Sequence, residues 1–295
     1  MSSYAKAEGN NHGSGFNTHD SNGNLHKPFT PVVKKRLSKK PYEVSIREQP
    51  VTIRRMPYVP VEDSLLVDAG TARANIAASA EKPNGTTEGD WAEKHKHQTV
   101  LEQHVSYFDP DGDGIFSPLD TYHGIRAWGF NVIFASVFAF LIHLGISYPT
   151  CPSIIPDLRL RIYVKNIHKT KHGSDSQTYD NEGRFKPQQF EDFFSKYDKA
   201  GKGGLDIWDI LAALKGQRLL RDSFGSTANF AEWIVTYLLL WPEDGICRKE
   251  DVRGIFDGSM FQKKADEYQE KKRRMKKQGM KAGLKVDGKG QRHSV

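Results

Sequence analysis

One stretch of this chain, residues 109–120, constrains its fold more than any other. It reads DPDGDGIFSPLD, with aspartates at its first, third and fifth places and a glycine at its sixth. In a tight loop, oxygen ligands at these alternate places point toward a common centre, and glycine at the sixth place permits the sharp turn. This pattern is typical of the EF-hand calcium loop, which one helix enters and another leaves. The sequence therefore predicts a helix-loop-helix unit and a mainly α fold.

The twelfth place of this loop departs from the usual pattern. It holds Asp120 where a glutamate is expected, and the shorter side chain makes bidentate ligation harder. We therefore expect weaker calcium binding, or more tolerance of magnesium. The alternative is a plain Asp/Gly surface turn. The predicted calcium ligands are Asp109, Asp111, Asp113, the backbone carbonyl of Ile115, Ser117 and Asp120.

Residues 190–215 repeat the helix-loop-helix pattern in a degenerate form. The second loop begins at Asp198, but its third and fifth places are Ala200 and Lys202. Two ligands are lost and a cation is brought into the cavity, so this loop is not expected to bind calcium well. We expect it to pair with the loop 109–120, which gives an EF-hand-like helix-loop-helix pair with one calcium-competent loop.

A weaker echo of the same spacing occurs near the end of the folded region. It has Gly245 at the sixth place and Asp251 at the twelfth. The echo is too faint to support a prediction.

Residues 127–156 contain no Asp, Glu, Lys or Arg. About 20 apolar residues in a helix would cross a bilayer core of ~30 Å. Asn131, Ser136 and His143 make this a mediocre span, and the three prolines between residues 149 and 156 stop a helix. No second apolar segment follows that could return through the membrane. Three interpretations stay open: a single span, a monotopic helix dipping into one leaflet or a lipid monolayer, and a buried core helix.

Both termini are polar. Residues 1–90 are rich in Asn, Gly, Ser, His and Pro, without sustained periodicity, and we expect them to be disordered. The first 30 residues hold no apolar run, so no signal peptide is expected. Residues 262–295 form a basic tail, with 12 Lys/Arg against 4 Asp/Glu. We expect this tail to be helical at first and then loose.

The charge and cysteine content exclude several classes of protein. The formal net charge of +7 lies in the basic tail, so the folded body is near neutral and no nucleic-acid partner is expected. The two cysteines form no CxxC or CxxCH motif. A disulfide framework, a zinc site and a c-type haem attachment are therefore all unsupported.

The order of motifs is specific. His104-Val105 precedes the calcium loop, the charge-free segment and its prolines follow, and the polar segment 166–185 comes next. With the further stretches GIRAWGFN (124–131), FSKY (194–197) and FDGS (256–259), the chain resembles the caleosin (peroxygenase) family of lipid-droplet proteins from Leu101 to Phe261. We therefore expect a caleosin-type domain over residues 91–261.

The resemblance implies a haem protein that uses an organic hydroperoxide as oxygen donor. Two histidines are tied to haem in this family, and their sequence contexts match His104 and His172, with His168 in reserve. The implied cofactors are non-covalent haem b and Ca²⁺. The implied reaction is a calcium-dependent transfer of oxygen from a fatty acid hydroperoxide to unsaturated lipid or a heteroatom. A catalytic haem needs an open iron position, so one histidine is proximal, and the sequence does not say which.

The resemblance also implies a location and partners. We expect a cytosol-facing protein of lipid droplets and the endoplasmic reticulum membrane, on a phospholipid monolayer, with self-association left open. His104 and His172 flank the charge-free segment, so sharing one haem requires both on one side of any membrane, which favours the monotopic interpretation. The alternative function is a non-enzymatic calcium-binding structural protein of the lipid-droplet surface.

Overall fold

The computed structural model describes residues 64–289, with side chains up to residue 278, and these residues are mainly helical. The predicted fold class is confirmed at this level. The α-helices are α1 (Trp91–Lys94), α2 (Val100–Ser106), α3 (Pro118–Ala127), α4 (Val132–Thr150), α5 (Pro187–Tyr197), α6 (Ile207–Gln217), α7 (Ser223–Leu240), α8 (Lys249–Phe256) and α9 (Ser259–Lys289). Two 3-10 helices cover Glu88–Asp90 and Val164–Thr170.

Four short strands form two antiparallel pairs in the described part of the chain. The strands are β1 (Ile115–Phe116), β2 (Ile162–Tyr163), β3 (Gly204–Leu205) and β4 (Cys247–Arg248). β1 pairs with β2, with Ile115 opposite Tyr163. β3 pairs with β4, with Leu205 opposite Cys247.

These pairings correct the prediction that the two recognised loops pair with each other. The loop 109–120 pairs instead with the extended stretch after α4, and the degenerate loop pairs with the weak echo around Gly245. In each case two helices lie between the paired strands: α3 and α4 between β1 and β2, and α6 and α7 between β3 and β4. The described residues therefore contain two separate strand pairs, and each of the two recognised loops contributes a strand to a different pair.

The main core lies around the second pair and is rich in aromatic side chains. The largest fully buried members are Phe185 and Phe190, and the rings of Phe193 and Trp233 stack at 5.7 Å. A smaller core joins Val105 and Phe116 to the 3-10 helix Val164–Thr170. The helix carrying His104 and the segment leading to His172 therefore share one packed interior.

The folded region begins earlier than predicted. Residues 64–90 were expected to be disordered with the rest of 1–90, but Leu66, Ala77 and Ala78 are buried. Arg73 exchanges backbone hydrogen bonds with Phe185 at 2.6 and 2.8 Å. Burial of small apolar residues and strand-like pairing stabilise this segment, and neither leaves a periodic signal in the sequence. The remaining predicted disorder, residues 1–63, lies outside the described residues.

Helix α4 is the one helix among the described residues that is long and apolar enough to cross a membrane. Its buried stripe is small or polar: Ala135, Ala139, His143, Ser147 and Thr150. Its other faces expose large apolar side chains: Val132, Ile133, Val137, Phe140, Leu141, Leu144 and Tyr148. The helix ends at Thr150, directly after Pro149, as the proline cluster predicts.

The buried stripe of α4 is tied to the folded domain by side-chain hydrogen bonds. His143 is fully buried, and its two ring nitrogens bond to the Thr121 hydroxyl at 2.7 Å and the Leu160 carbonyl at 2.6 Å. Ser147 Oγ donates to the carbonyl of Arg161 at 2.8 Å. Because buried polar groups need partners, these bonds fix α4 against α3 and the segment before β2.

Helix α9 carries the basic tail away from the domain. Its first turns pack on the end of α3, where Trp128 Nε1 donates to the carbonyl of Phe261 at 3.1 Å. The helix continues to Lys289, beyond the point where the Gly/Lys-rich composition predicts loose chain.

Candidate functional site

The first three aspartates of the loop 109–120 converge in the structure. Carboxylate oxygens of Asp109, Asp111 and Asp113 all lie within 4.8 Å of one another. Asp109 Oδ2 accepts the N–H of Gly114 at 2.9 Å, whereas its Oδ1 is buried without a hydrogen-bond partner among the described residues. Burial, together with Asp111 and Asp113, raises the pKa of Asp109. The three carboxylates repel one another when ionised, and one buried oxygen lacks a hydrogen-bond partner. Both features suit the binding of a hard divalent cation.

Ser117 and Asp120 are engaged at the start of α3. Asp120 Oδ2 accepts the backbone N–H of Ser117 at 2.8 Å and its hydroxyl at 2.7 Å, which forms a capping box. Only Oδ1 of Asp120 is then left for a cation, which agrees with the limited reach expected of aspartate at this place. Calcium binding by these residues and by the carbonyl of Ile115 stays a prediction.

In the degenerate loop, a lysine ammonium group lies among the acidic side chains. Lys202 Nζ forms ion pairs with the carboxylates of Asp206 and Asp209. Asp198 accepts the backbone N–H groups of Lys202, Gly203 and Gly204. An ammonium group therefore neutralises carboxylates that a calcium ion would otherwise bind, as the sequence predicts for a lysine at the fifth place.

His104 is held in one tautomer by the end of α8. Its Nδ1 lies 2.7 Å from the carbonyl of Ile255, so Nδ1 carries the proton and donates it. Nε2 then keeps its lone pair and makes no hydrogen bond to the described residues. Burial lowers the pKa of His104 below its ordinary value, which keeps the imidazole neutral near pH 7. A neutral imidazole with a fixed Nδ1–H is the form that ligates a metal.

The turn between α8 and α9 fits closely against His104. Gly258 has a φ of 78°, and a Cβ placed on it would lie 2.6 Å from the carbonyl oxygen of Gln103 and 3.1 Å from the Cα of His104. Only glycine combines this backbone conformation with so close an approach. The FDGS stretch stood out in the sequence as a family motif, but its contact with His104 was missed because it depends on tertiary packing.

A buried ionic network holds this turn in place. Asp257 is almost fully buried and accepts hydrogen bonds from Arg253 at 3.1 Å, Thr86 at 2.6 Å and Ser259 at 2.6 Å. Thr86 belongs to the N-terminal segment that was expected to be disordered. The segment 64–90 therefore helps to fix the turn against which His104 rests.

His172 has a different environment from His104. Its Nε2 lies 3.8 Å from the Glu232 carboxylate, and its Nδ1 is buried without a hydrogen-bond partner among the described residues. Burial lowers the pKa of His172, but Glu232, helped by Asp175 and Asp222, outweighs this, so the pKa is raised overall. The surroundings of His172 therefore favour its protonated form more than those of His104 do.

Two observations place the two histidines in one region. Helix α2, which carries His104, packs against the 3-10 helix that leads to His172. The carboxylate of Glu232 also acts electrostatically on both rings. His168 lies within that 3-10 helix and is half-buried, so it is a near neighbour of the same region.

The donor set of this region fits a haem. His104 offers a neutral Nε2 whose opposite nitrogen is hydrogen-bonded, and His172 offers a buried, unpartnered Nδ1. One imidazole suited to ligation and one suited to proton transfer match the needs of a haem with an open iron position.

Comparisons with known proteins identify a family and several relatives that this chain resembles. A family model described as "Caleosin related protein" matches residues 96–265. The chain is 43% identical over 216 residues, 73% of its length and 88% of the relative's, to "Peroxygenase" of Lilium longiflorum. It is 36% identical over 57% of its length to "Probable peroxygenase 4" of Arabidopsis thaliana, covering 86% of that protein. A "Probable inactive peroxygenase-like protein" of Arabidopsis thaliana is 30% identical, over 52% of this chain and 74% of that one. No solved structure matches significantly.

Proposed function

Because this chain belongs to the caleosin family and is a peroxygenase enzyme, we propose that it is a calcium-dependent haem peroxygenase of lipid droplets and endoplasmic reticulum membranes. It transfers oxygen from a fatty acid hydroperoxide to an unsaturated lipid or a heteroatom acceptor. The observation that carries the proposal is the contrast between the two histidines. His104 is neutral with a fixed tautomer, whereas His172 has a buried Nδ1 without a hydrogen-bond partner and a pKa that Glu232 raises.

His104 is the proximal ligand in this proposal. Its Nδ1–H donates to the Ile255 carbonyl, which orients the ring and makes Nε2 more basic toward a metal. Gly258 packs closely against the backbone of Gln103 and His104, which helps to fix the position of this part of α2. Bound haem would supply the redox chemistry that cleaves the O–O bond and passes oxygen on.

His172 is the acid–base group. A hydroperoxide loses a proton from its terminal oxygen, and the other oxygen must gain one as the alcohol leaves. Nδ1 of His172 is buried and free to take up that proton and return it. A pKa near the working pH suits both steps, and Glu232 raises the pKa of His172 in that direction.

Calcium is assigned a structural part. The loop 109–120 lies between α2, which carries His104, and α3, whose Thr121 bonds to His143 of the apolar helix. A cation among Asp109, Asp111 and Asp113 would fix the angle between these helices. We expect it to set the geometry of the haem pocket and the apolar helix without taking part in the redox step.

The packing of α4 supports a monotopic contact with lipid. Its small and polar face is bonded to the domain, and its large apolar side chains face outward. Crossing a bilayer would require breaking the bonds of His143 and Ser147 in a medium that offers no replacement. The double variant Leu141→Gln/Leu144→Gln, which changes two exposed leucines, is expected to associate less with lipid droplets.

Turnover of a fatty acid hydroperoxide by purified protein tests the function. His172→Ala should reduce kcat by about 10²–10⁴-fold, as for a general acid–base group. His104→Ala should abolish turnover together with haem binding. His168→Ala is the matched control, since it removes a nearby imidazole and should leave turnover within about twofold. Equal turnover in all three variants would contradict the roles given to His104 and His172, and no turnover in haem-loaded wild-type protein would favour the non-enzymatic structural protein.

A further inference from the structure

Exposed apolar side chains occur at a second place, the turn between α6 and α7. This turn holds Leu219 and Leu220 between Arg218 and Arg221, and all four side chains are exposed. Leu220 is the more exposed of the two leucines, with 92% of its surface accessible. A fully exposed leucine has no role in the core, and large exposed apolar patches mark contact sites.

This turn is continuous with the outer face of α4. Phe224, in the first turn of α7, lies against α4, because a Cβ placed on Gly145 would be 3.5 Å from its ring. Leu141 and Tyr148 lie four residues before and three after Gly145, so they share its helix face, and both are exposed. The exposed ring of Phe224 therefore lies beside the face of α4 that exposes Leu141 and Tyr148, and Leu220 comes four residues before Phe224 in the chain.

The charges beside the turn indicate what this surface contacts. Arg218 and Arg221 flank the two leucines, and neither forms an ion pair within the described part of the chain. Two exposed leucines between two arginines without ion pairs suit the boundary between acyl chains and anionic headgroups. Apolar side chains insert there, and guanidinium groups bind phosphate or carboxylate. A protein partner would more often meet aromatic anchors in a defined pocket.

The same turn is fastened to the loop that carries His172. Asp222 accepts hydrogen bonds from the backbone N–H and the hydroxyl of Ser174 at 2.9 and 2.7 Å. The backbone N–H of Leu219 donates to Ser174 Oγ at 3.1 Å, and Leu219 also packs on Gly173. A lipid surface that holds the turn would therefore lie close to His172.

We propose that residues 218–224 form a second lipid-docking surface, selective for anionic membranes, that works with α4 to hold the His172 loop at the lipid boundary. The inference goes beyond the peroxygenase activity, since the contact depends on exposure and charge alone. Docking at this surface would let acyl chains dissolved in the membrane reach the His172 loop without passing through water.

Vesicle flotation with the full-length protein tests the docking surface. Leu220→Gln should weaken binding to phosphatidylcholine vesicles containing phosphatidylserine by about tenfold. The matched control is Leu65→Gln, which changes a leucine that is 74% exposed in the N-terminal segment and should bind as the wild type does. Since both side chains are exposed, neither substitution should alter the far-ultraviolet circular dichroism.

The charge requirement is tested by the double variant Arg218→Gln/Arg221→Gln. It should lose about fivefold in affinity per arginine on vesicles with phosphatidylserine, and little on phosphatidylcholine alone. Lys199→Gln, an exposed cation in the degenerate loop, is the control. Equal binding by Leu220→Gln and Leu65→Gln would overturn the proposal, as would equal arginine effects on both kinds of vesicle. Because the readout is lipid binding, failure of the peroxygenase assignment would not affect it.

Discussion

Replacing Asp109 with asparagine is expected to change stability in opposite directions with and without calcium. Asp109, Asp111 and Asp113 crowd their carboxylates together, and the buried Oδ1 of Asp109 lacks a partner among the described residues. Without a cation, Asp109→Asn removes one of three like charges and supplies an amide donor at the orphaned position. With calcium, the same change removes a central ligand.

The size of each effect follows from the environment. Relief of repulsion between partly exposed charges is worth about 0.2–1 kcal/mol. Calcium at about 100 times its dissociation constant would stabilise the wild type by about 2.7 kcal/mol. For a domain of this size, 1 kcal/mol corresponds to a shift in Tm of about 2–4 °C. Asp109→Asn should therefore raise Tm by about 0.4–4 °C in chelator and eliminate a calcium-induced rise of about 5–11 °C.

The effect in chelator also has a defined pH dependence. The folded protein raises the pKa of Asp109, so the folded state favours the protonated carboxyl. The cost of ionising it is absent at low pH and develops as pH rises through the folded pKa. The advantage of Asp109→Asn should therefore be greater at neutral pH than below about pH 4.

Differential scanning calorimetry in calcium and in chelator measures these shifts. Asp198→Asn, the equivalent change in the degenerate loop, is the control. Asp198 accepts three backbone N–H groups, so its loss should cost about 1–3 kcal/mol equally in both conditions. The reasoning fails if Asp109→Asn lowers Tm in chelator, or if calcium stabilises that variant as it does the wild type.

Three further substitutions test other parts of the account. Glu232→Gln removes the carboxylate 3.8 Å from His172 and should lower the pKa of that ring, which an NMR titration would detect; an unchanged pKa would contradict the electrostatic assignment. His143→Leu leaves the Thr121 hydroxyl and the Leu160 carbonyl without a hydrogen-bond partner. It should reduce the free energy of unfolding, measured in urea, by about 2–4 kcal/mol. A loss under about 1 kcal/mol would argue that these two hydrogen bonds do not hold α4 to the domain. Gly258→Ala forces a Cβ against Gln103 and should cost at least about 2 kcal/mol and lower haem content, whereas full haem retention would show that the turn does not position His104.

The sequence predicted best those features that depend on local spacing. The helix that leaves the loop 109–120 follows from the ligand spacing, which is typical of a loop between two helices. The position of Lys202 between acidic side chains follows from the same spacing. Such features depend on residues within about a dozen positions of one another, so they can be predicted from the sequence.

Features that depend on distant contacts were missed. The strands are two residues long, too short for any periodicity, so their pairing could not be inferred from pattern. The order of residues 64–90 rests on backbone pairing with Phe185 and on the bond from Thr86 to Asp257, 171 positions away. The difference in environment between His104 and His172 likewise depends on Ile255 and Glu232, which lie far along the chain.

The ultraviolet–visible spectrum of the purified full-length protein tests the central claim most directly. We predict a Soret band in the wild type that is lost in His104→Ala and retained in His172→Ala, because only His104 has the neutral, oriented Nε2 of a proximal ligand. A Soret band unchanged in His104→Ala, or a haem-free preparation that still turns over hydroperoxide, would contradict the account.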